Sequence, residues 1–162
     1  MSPCTASAVA KDTDNAAMTK ADFYNLAGQT RHDQWFFTCR LAEQLQQKKR
    51  RVLIQVGSKE DAEELDRMLW EFRPDAFVPH ALLNAEDAPS DCPVSIGWQN
   101  DPGDHHDVMI NLCPELPVFF SRFQRLAEVI VQEDAVLEYT RLHYRFLKDR
   151  GYPLKYHDRR MG

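Results

Sequence analysis

Three segments of the chain carry apolar residues at the three- and four-residue spacing of an amphipathic helix. The first, about Gln34–Gln47, follows Asp33, a residue type that favours the N-cap position. The second is about Lys59–Glu71. The last, about Asp134–Arg150, runs into Gly151 with a proline shortly beyond, which is a strong signal for a helix end. The pattern therefore predicts three helices.

Five shorter segments are rich in β-branched or aromatic residues, and polar or Gly/Pro-containing loops separate most of them, as expected for strands. These segments are Asp22–Leu26, Val52–Val56, Val94–Trp98, Val108–Leu112 and Leu126–Val131. Two further stretches, Ala85–Cys92 and Gln99–His106, are predicted to be surface loops. Strands that alternate with helices indicate an α/β sandwich whose central sheet is mostly parallel.

Composition is consistent with one soluble globular domain. The chain has 162 residues, of which 43% are hydrophobic and 28% charged. No apolar run approaches the roughly 20 residues that cross a bilayer. Residues 1–17 are small and polar and lack the apolar stretch of a signal peptide, so we expect a disordered extension before an α/β domain over residues 18–162. A cytoplasmic location with reduced thiols follows from that expectation.

The charge of the chain is unevenly distributed. The net charge of −5 argues against a protein whose main role is to coat DNA, because that role requires many basic residues. Residues 141–160 nevertheless hold seven basic residues against two acidic ones. This end of the chain can attract an acidic partner although the whole molecule is anionic.

The stretch Gly57-Ser58-Lys59 follows a predicted strand and begins a predicted helix, as a phosphate-binding loop does. Such loops use several glycines, whereas this one has a single glycine and is followed by the acidic Glu60 and Asp61. The alternative is structural: Gly57 permits the turn, and Ser58 caps the helix with Asp61 three residues on. We favour this alternative over nucleotide binding.

Other reactive side chains lack the partners that chemistry requires. The four residues of Asp104–Asp107, Asp-His-His-Asp, are adjacent and cannot all face one metal ion, so a solvated turn is the preferred interpretation. Cys39 and Cys92 have no neighbouring base, and His80 has no accompanying nucleophile or carboxylate pattern. We therefore predict no catalytic site, metal or cofactor.

Several blocks of sequence are more specific than these patterns. They are ADFYNL, KRRVLIQVGSKEDAEELDRMLWEFRPDAFVPHALL, CPVSIGW, DVMINL and QEDAVLEYTRLHYRFLKDRGYPLKYH. In order and spacing they resemble the chi subunit of bacterial DNA polymerase III, over roughly Lys20 to His157. The resemblance implies a single Rossmann-like α/β domain with no known catalytic activity of its own, serving as a subunit of a DNA-directed DNA polymerase.

The resemblance also implies the partners. Members of this family pair with the psi subunit, which joins them to the clamp loader, and they bind the acidic C-terminal tail of single-stranded DNA-binding protein (SSB). The polymerase is thereby tethered to coated lagging-strand template, and contact with DNA is indirect. Some members pair instead with a helicase-like repair protein through the psi-binding surface.

The psi-binding surface is expected around the end of the second helix. Trp70 lies off the apolar stripe of that helix, which makes it a candidate for an exposed anchor, with Phe77 beside it. Aromatic anchors and an arginine such as Arg73 are the usual components of an interface hot spot. The resemblance matches Trp70 and Phe77 to the psi surface, whereas Phe72 and Val78 are assigned to the core.

The SSB-tail site is expected on the last helix. Arg141, Arg145 and Lys148 follow spacings of four and three residues and form one charged stripe. The resemblance matches Arg141 to the key arginine of the family, with Tyr144 and Ile130 beside it. The alternative is an ordinary solvated helix face, packed underneath by four residues. These are Val136, Thr140, His143 and Leu147.

One position departs from the family pattern. Some relatives carry a lysine one turn before the key arginine, and Leu137 occupies that position here. The resemblance therefore does not predict how tightly this chain binds the SSB tail. A functional alternative from a different class is a small nucleotide-dependent enzyme on the same α/β framework, which a nucleotide titration would distinguish.

Overall fold

The computed structural model describes residues 18–73, 75, 78–83 and 92–160. Seven strands and three α-helices lie within these ranges. In chain order they are β1 (Lys20–Leu26), α1 (Arg31–Gln47), β2 (Val52–Gln55), α2 (Lys59–Glu71), β3 (His80–Leu82), β4 (Val94–Gly97), β5 (Val108–Asn111), β6 (Arg125–Ile130), α3 (Asp134–Asp149) and β7 (Leu154–Arg159). The predicted N-terminal extension, Phe77 and most of the predicted loop at 85–92 lie outside the described residues.

The strands form one sheet in the order β3-β4-β2-β5-β6-β1-β7. Every pairing among the described strands is parallel. Helices cover both faces: α1 and α2 pack on one face, and α3 with a short 3-10 turn packs on the other. The predicted α/β fold is confirmed, and the sheet is more uniformly parallel than expected.

The five predicted strands and three predicted helices are all present, and no end differs from its predicted position by more than three residues. The four residues predicted to pack under the last helix are its buried ones, namely Val136, Thr140, His143 and Leu147. Their burial follows from helical spacing, because positions three and four apart lie on one face.

The prediction of Asp33 as an N-cap is wrong. The Thr30 hydroxyl accepts a hydrogen bond from the Asp33 amide at 3.1 Å, and the Asp33 carboxylate accepts one from the Thr30 amide at 3.2 Å. This reciprocal arrangement is a capping box, so α1 begins at Arg31 and Asp33 is its third residue. The hydrogen bonds with Thr30 also lower the pKa of Asp33.

Helix α2 begins at the predicted residue, but the glycine before it is not needed for the turn. The Ser58 hydroxyl accepts a hydrogen bond from the Asp61 amide at 3.1 Å, which confirms Ser58 as the cap. Gly57 has no positive φ, and a Cβ added there would meet nothing within 4 Å. The turn therefore does not depend on glycine, contrary to the prediction.

Helix α3 ends as predicted. Gly151 has a φ of 82°, a conformation that favours glycine. Its amide donates to the Lys148 carbonyl and the Tyr152 amide donates to the Leu147 carbonyl, both at 3.1 Å. These two bonds form a Schellman motif, which satisfies carbonyls at the helix end and turns the chain toward β7.

Strands β3 and β7 were not predicted. Strand β3 has three residues, all half-buried, and is too short to show a period. Strand β7 is mostly polar and exposed because it pairs only with β1, at the edge of the sheet. An edge strand needs little apolar sequence, so composition alone does not identify it.

The loop at Gln99–His106 contains neither helix nor strand, as predicted. The Asp104–Asp107 turn, however, is not wholly solvated. The side chain of His105 is buried, and its Nε2 lies 2.9 Å from the Ser95 hydroxyl. Burial, and then the charge of Arg51, lower the pKa of His105 to about 4. In the described ranges, no helix is long and apolar enough to span a bilayer.

Candidate functional site

A cavity of about 340 Å³ opens beside helix α3. It lies where α3 meets β1, the end of β6, and β7. Its lining residues are Phe23, Ile130, Leu137, Thr140, Arg141, Tyr144 and Tyr156. We refer to it as the α3 cavity. The structure therefore brings Ile130, Arg141 and Tyr144 together, as the sequence predicted.

Aromatic rings form much of the wall of the α3 cavity. The rings of Phe23 and Tyr144 meet edge to face with centroids 5.2 Å apart, and those of Tyr144 and Tyr156 do so at 6.3 Å. Phe23 is fully buried and Ile130 is 5% exposed, whereas Tyr156 is 51% exposed. The cavity is thus apolar inside and open at one side, a shape that suits a single apolar side chain.

Arg141 is the charged residue that lines this cavity. Its side chain is exposed, and within the described part of the chain no carboxylate lies within ion-pair distance of it. Arg145 and Lys148 are exposed further along the same side of α3 and do not line the cavity. The α3 cavity is therefore an apolar pocket with three basic side chains along one side, of which only Arg141 lines it.

The inner face of α3 is fixed by a buried polar cluster. His143 Nδ1 lies 2.8 Å from a Glu128 carboxylate oxygen, and His143 Nε2 lies 3.0 Å from the Pro114 carbonyl. The Asn111 amide donates to the same carboxylate at 2.9 Å. Both ring nitrogens of His143 face acceptors. One proton therefore lies between the His143 ring on α3 and the Glu128 carboxylate on β6.

Electrostatics agree with this geometry. Burial raises the pKa of Glu128. Burial alone lowers the pKa of His143, but the hydrogen bond and charge of Glu128, with the Pro114 carbonyl, outweigh it and leave the pKa raised. The helix that carries Arg141 is consequently anchored by a charged or proton-sharing pair.

The second predicted region lies at the end of α2. Trp70 is 55% exposed, and its ring centroid lies 4.8 Å from that of His80. Arg73 donates to Glu43 at 2.6 Å and to Asp75 at 3.1 Å. The predicted exposure of Trp70 is confirmed. We refer to Trp70, Arg73 and Phe77 as the α2 patch, although Phe77 lies outside the described residues.

The core assignments near the α2 patch are mostly correct. Val78 is 1% exposed, as predicted. Phe72 is only half-buried, and its ring meets that of Phe36 edge to face at 6.1 Å. Phe72 therefore packs at the margin of the core against α1.

Sequence reasoning did not assign four of the lining residues to the α3 cavity, namely Phe23, Leu137, Thr140 and Tyr156. Thr140 was expected only in the packed inner face of the last helix. Tyr156 was missed because β7 was not predicted. Phe23 lies in a predicted strand, and its position inside the fold became clear only from the pairing of β1 between β6 and β7. Leu137 was noted as a departure from the family pattern, and the structure gives it a place in the wall.

Two thiols in the described part of the chain, those of Cys39 and Cys113, show no sign of activation. Burial raises the pKa of Cys39 to about 12, and burial with the nearby Glu128 charge does the same for Cys113. A thiol with such a pKa is a poor nucleophile at neutral pH. Within the ranges that the structure describes, no group of three or more His, Cys, Asp or Glu side chains could hold a metal ion.

Residues 18–155 match the family model described as DNA polymerase III chi subunit, HolC. The chain belongs to the chi subunit family of DNA polymerase III. Three relatives carry the name DNA polymerase III subunit chi. The chi subunit of Pseudomonas aeruginosa is 39% identical over 140 residues, which cover 86% of this chain and 96% of the relative.

Two further chi subunits are more distant. That of Haemophilus influenzae is 32% identical over 117 residues, covering 72% of this chain and 81% of the relative. That of Escherichia coli is 28% identical over 142 residues, covering 85% and 96%. The similarity to this family thus extends along nearly the whole α/β domain and is not confined to one motif.

The fold is also similar to that in the crystal structure of T4 UvsW. The TM-score is 0.63 at 7% sequence identity, with 91% of this chain and 42% of that chain covered. This chain therefore spans less than half of that protein. At this identity the likeness concerns the α/β fold alone, and the chi assignment rests on the sequence matches.

Proposed function

We propose that this chi-family chain is a non-catalytic accessory subunit that joins the replicative polymerase to SSB-coated template in the cytoplasm. One surface, the α2 patch, binds the psi subunit at the clamp loader. The other, the α3 cavity, binds the acidic C-terminal tail of SSB. The observation that carries the proposal is Arg141, which is exposed at the mouth of an apolar cavity and forms no ion pair with any residue that the structure describes.

The α3 cavity fits the end of such a tail. The ligand is a run of acidic residues that ends in a hydrophobic residue with a free carboxylate. The cavity of about 340 Å³, bounded by Phe23, Ile130 and Tyr144, receives the terminal side chain. The guanidinium of Arg141 takes the carboxylate in two parallel charged hydrogen bonds. A peptide end is therefore recognised by one apolar and one ionic contact together.

Arg145 and Lys148 act on the residues that precede the end of the tail. Both are exposed on the side of α3 that carries Arg141, and in the described chain neither has an ion-pair partner. Exposed charges of this kind contribute little each and weaken with salt. We therefore expect a micromolar affinity that falls as ionic strength rises.

The α2 patch fits an interface of a different kind. Trp70 presents more than half of its side chain to solvent, which is unusual for so large an apolar residue. Arg73 follows three residues later in the chain and is held by Glu43 and Asp75. Tryptophan and arginine are both enriched among interface hot spots. In this proposal psi binds here, and a helicase-like repair protein can compete for the same patch.

Calorimetry with three peptides tests the tail assignment. The peptides are the acidic SSB tail, the tail without its last residue, and the tail with its terminal carboxylate amidated. We expect micromolar binding of the first and at least tenfold weaker binding of the other two, because each lacks one of the two recognised groups. Equal binding of all three would show that the end of the peptide is not recognised.

The same titration separates this proposal from the nucleotide-dependent enzyme. The turn before α2 is followed by Glu60 and Asp61, and the Ser58 hydroxyl already accepts from the helix backbone. ATP with magnesium should therefore give no heat of binding while the SSB tail does. Tight ATP binding without tail binding would favour the enzyme.

A further inference from the structure

A second cavity, of about 500 Å³, lies at the carboxyl ends of β2, β4 and β5. Its described lining comes from the residues that end or follow those three strands, and it shares none of them with the α3 cavity. We refer to it as the switch-point cavity. It is also separate from Trp70 and Arg73, so neither proposed partner surface accounts for it.

The position of this cavity in the sheet favours a ligand. Strands β2 and β5 are neighbours. The chain leaves β2 through α2 toward β3 on one side, and leaves β5 toward β6 on the other side. A crevice opens where two adjacent strands send their connections in opposite directions. In parallel α/β sheets, ligands bind in this crevice, beyond the carboxyl ends of the strands.

A buried polar group at the floor of the cavity lacks a partner. Gln55 ends β2 and is 5% exposed. Its Nε2 donates to the Gln99 carbonyl at 3.0 Å, whereas its Oε1 has no hydrogen-bond partner in the described chain. Buried acceptors are seldom left unsatisfied, because desolvating them costs free energy. Because Gln55 lines the cavity, a ligand bound there can offer a donor to this oxygen.

The charge of the lining excludes an anionic ligand. Among the described lining residues, Glu115 is the one that carries a charge, and no lysine or arginine joins it. Helix α2 begins beside the cavity, but its first turn carries Glu60 and Asp61. Lys59 and Arg31, the ion-pair partner of Asp61, do not line the cavity, so phosphate groups in it would meet Glu115 without a cation in the described lining. A neutral ligand with hydrogen-bond donors is therefore favoured.

The remaining lining suits a flat ring. Trp98 and Phe119 are half-buried and line the cavity, and the amides of Gln99 and Asn100 lie exposed at its rim. Aromatic side chains stack on planar heterocycles, and side-chain amides pair with the polar edges of such rings.

The opposite wall is held rigidly in place. The Asn111 side chain accepts from the Cys113 amide at 3.2 Å, and the Pro114 carbonyl lies 3.0 Å from His143. Loop residues 113 and 114 are thus anchored to the sheet and to α3. A largely preformed cavity with a few polar groups is typical of small-molecule sites.

From these observations we infer that the switch-point cavity binds an uncharged nucleoside that carries an exocyclic amine. The ring stacks on Trp98, and the amine donates to the unpartnered oxygen of Gln55. This inference concerns a small molecule and goes beyond the proposed partner binding, because it uses neither the α2 patch nor the α3 cavity.

NMR titration of the full chain with three probes tests the inference. The probes are adenosine, purine riboside, which lacks only the amine, and ATP. We expect submillimolar adenosine binding that shifts the signals of Gln55, Trp98 and Val118. Purine riboside should bind about tenfold more weakly, the effect of one lost hydrogen bond to a buried group. ATP should show no binding at the same concentrations, because its phosphates find no cation among the described lining residues.

Two substitutions complete the experiment. Gln55→Leu removes the buried amide together with its hydrogen bond to the Gln99 carbonyl, and should weaken adenosine binding at least tenfold in a chain that circular dichroism shows to be folded. Gln47→Leu changes an exposed glutamine on α1 and should leave adenosine binding unchanged. The inference is overturned if adenosine and purine riboside bind equally, if ATP binds more tightly than adenosine, or if millimolar adenosine leaves the Gln55 and Trp98 signals unmoved. The probe comparison uses the unaltered chain, so it holds even if Gln55→Leu fails to fold.

Discussion

The two proposed partner surfaces each contain an arginine, and the two arginines differ in their surroundings. Arg73 in the α2 patch already donates to Glu43 and Asp75. Arg141 at the α3 cavity has no carboxylate partner in the described part of the chain. A guanidinium that is satisfied within its own fold positions its neighbours, whereas one that is not remains available for a ligand.

The aromatic residues differ in the same way. Trp70 projects from α2 and exposes more than half of its side chain, so it can insert into a partner. Around the α3 cavity the rings of Phe23 and Tyr144 pack against each other and enclose a space. The α2 patch is thus a protrusion that gains affinity from apolar burial, and the α3 cavity is a receptor that gains it from charge and shape. Binding at α3 should consequently be the more sensitive to salt.

The largest effect is expected from removing the two aromatic side chains assigned to the α2 patch. Trp70→Ala combined with Phe77→Ala should abolish binding of psi, since loss of a hot-spot aromatic costs about 2–4 kcal/mol. Co-purification of psi with the double variant measures this. Affinity for the SSB tail should not change, because the α3 cavity shares no residue with the patch.

A matched control removes another exposed apolar side chain. Leu142 is 54% exposed on α3 and does not line the α3 cavity. Leu142→Ala should leave psi binding unchanged. If psi co-purifies normally with a folded Trp70/Phe77 double variant, the α2 patch is not the psi surface and the comparison fails.

The next largest effect is expected at the α3 cavity. Arg141→Ala should weaken binding of the SSB tail by about 1–3 kcal/mol, or roughly 5- to 150-fold, the range for losing a charged hydrogen-bond partner. Calorimetry at two salt concentrations measures the change. The variant should also lose part of the salt dependence, because its principal cation is gone.

Two other arginines test whether charge alone is enough. Arg73→Ala should leave tail affinity unchanged, since the Arg73 guanidinium already pairs with acids of its own fold. Arg40→Ala removes an exposed arginine from α1, on the opposite face of the sheet, and should also have no effect. Equal weakening by all three substitutions would mean that the tail responds only to net charge.

The same contrast explains what the sequence can predict. Strong periodicity predicts the three helices and the buried strands, since burial on one or both faces imposes an apolar pattern. Strand β7 carries no such pattern because one edge and much of its surface meet solvent. Without β7, the contribution of Tyr156 to the α3 cavity could not be foreseen.

The first residue of a helix is hard to predict when two nearby residues can both act as its N-cap. Thr30 and Asp33 are both good capping residues, and spacing alone does not say which one caps the helix. The structure uses both, because each hydrogen-bonds the other's backbone. Similarly, helical spacing predicts that His143 faces inward, but its pairing with Glu128 depends on the packing of α3 over β6. Long-range polar contacts of this kind have no signature in one sequence.

The His143–Glu128 pair makes the seating of α3 dependent on pH, whereas the three buried residues of α2 are apolar. The raised pKa of His143 means that its contribution to stability is complete below about pH 6.5 and is lost as pH rises through the folded-state pKa. The free energy of unfolding should therefore fall above about pH 6.5, by at most ~1.4 kcal/mol per pH unit for one titrating group.

Urea denaturation from neutral to alkaline pH measures this slope. A double variant, His143→Gln with Glu128→Gln, removes both titrating groups and should show a flatter profile above pH 6.5. Parallel profiles for parent and variant would assign the pH dependence to other groups. This measurement reports on how firmly α3 is held, independently of the charge that Arg141 offers to a ligand.

The smallest effect concerns the departure at Leu137. This side chain is half-buried and lines the α3 cavity one turn before Arg141. Leu137→Lys adds a cation near the path of the acidic tail, and exposed ion pairs contribute about 0.2–1 kcal/mol. Tail affinity should therefore rise by about two- to fivefold at low salt, and the gain should vanish at high salt.

The size of this gain sharpens the comparison between the two surfaces. A lysine also removes part of the apolar wall, so the gain is expected only if charge contributes more than shape near the mouth of the cavity. Leu137→Met keeps the apolar wall without a charge and should bind the tail as the parent does. If Leu137→Lys weakens binding at every salt concentration, the apolar wall at this position contributes more to affinity than an added charge does. Binding at the α3 cavity would then depend mainly on apolar contact, as binding at the α2 patch does.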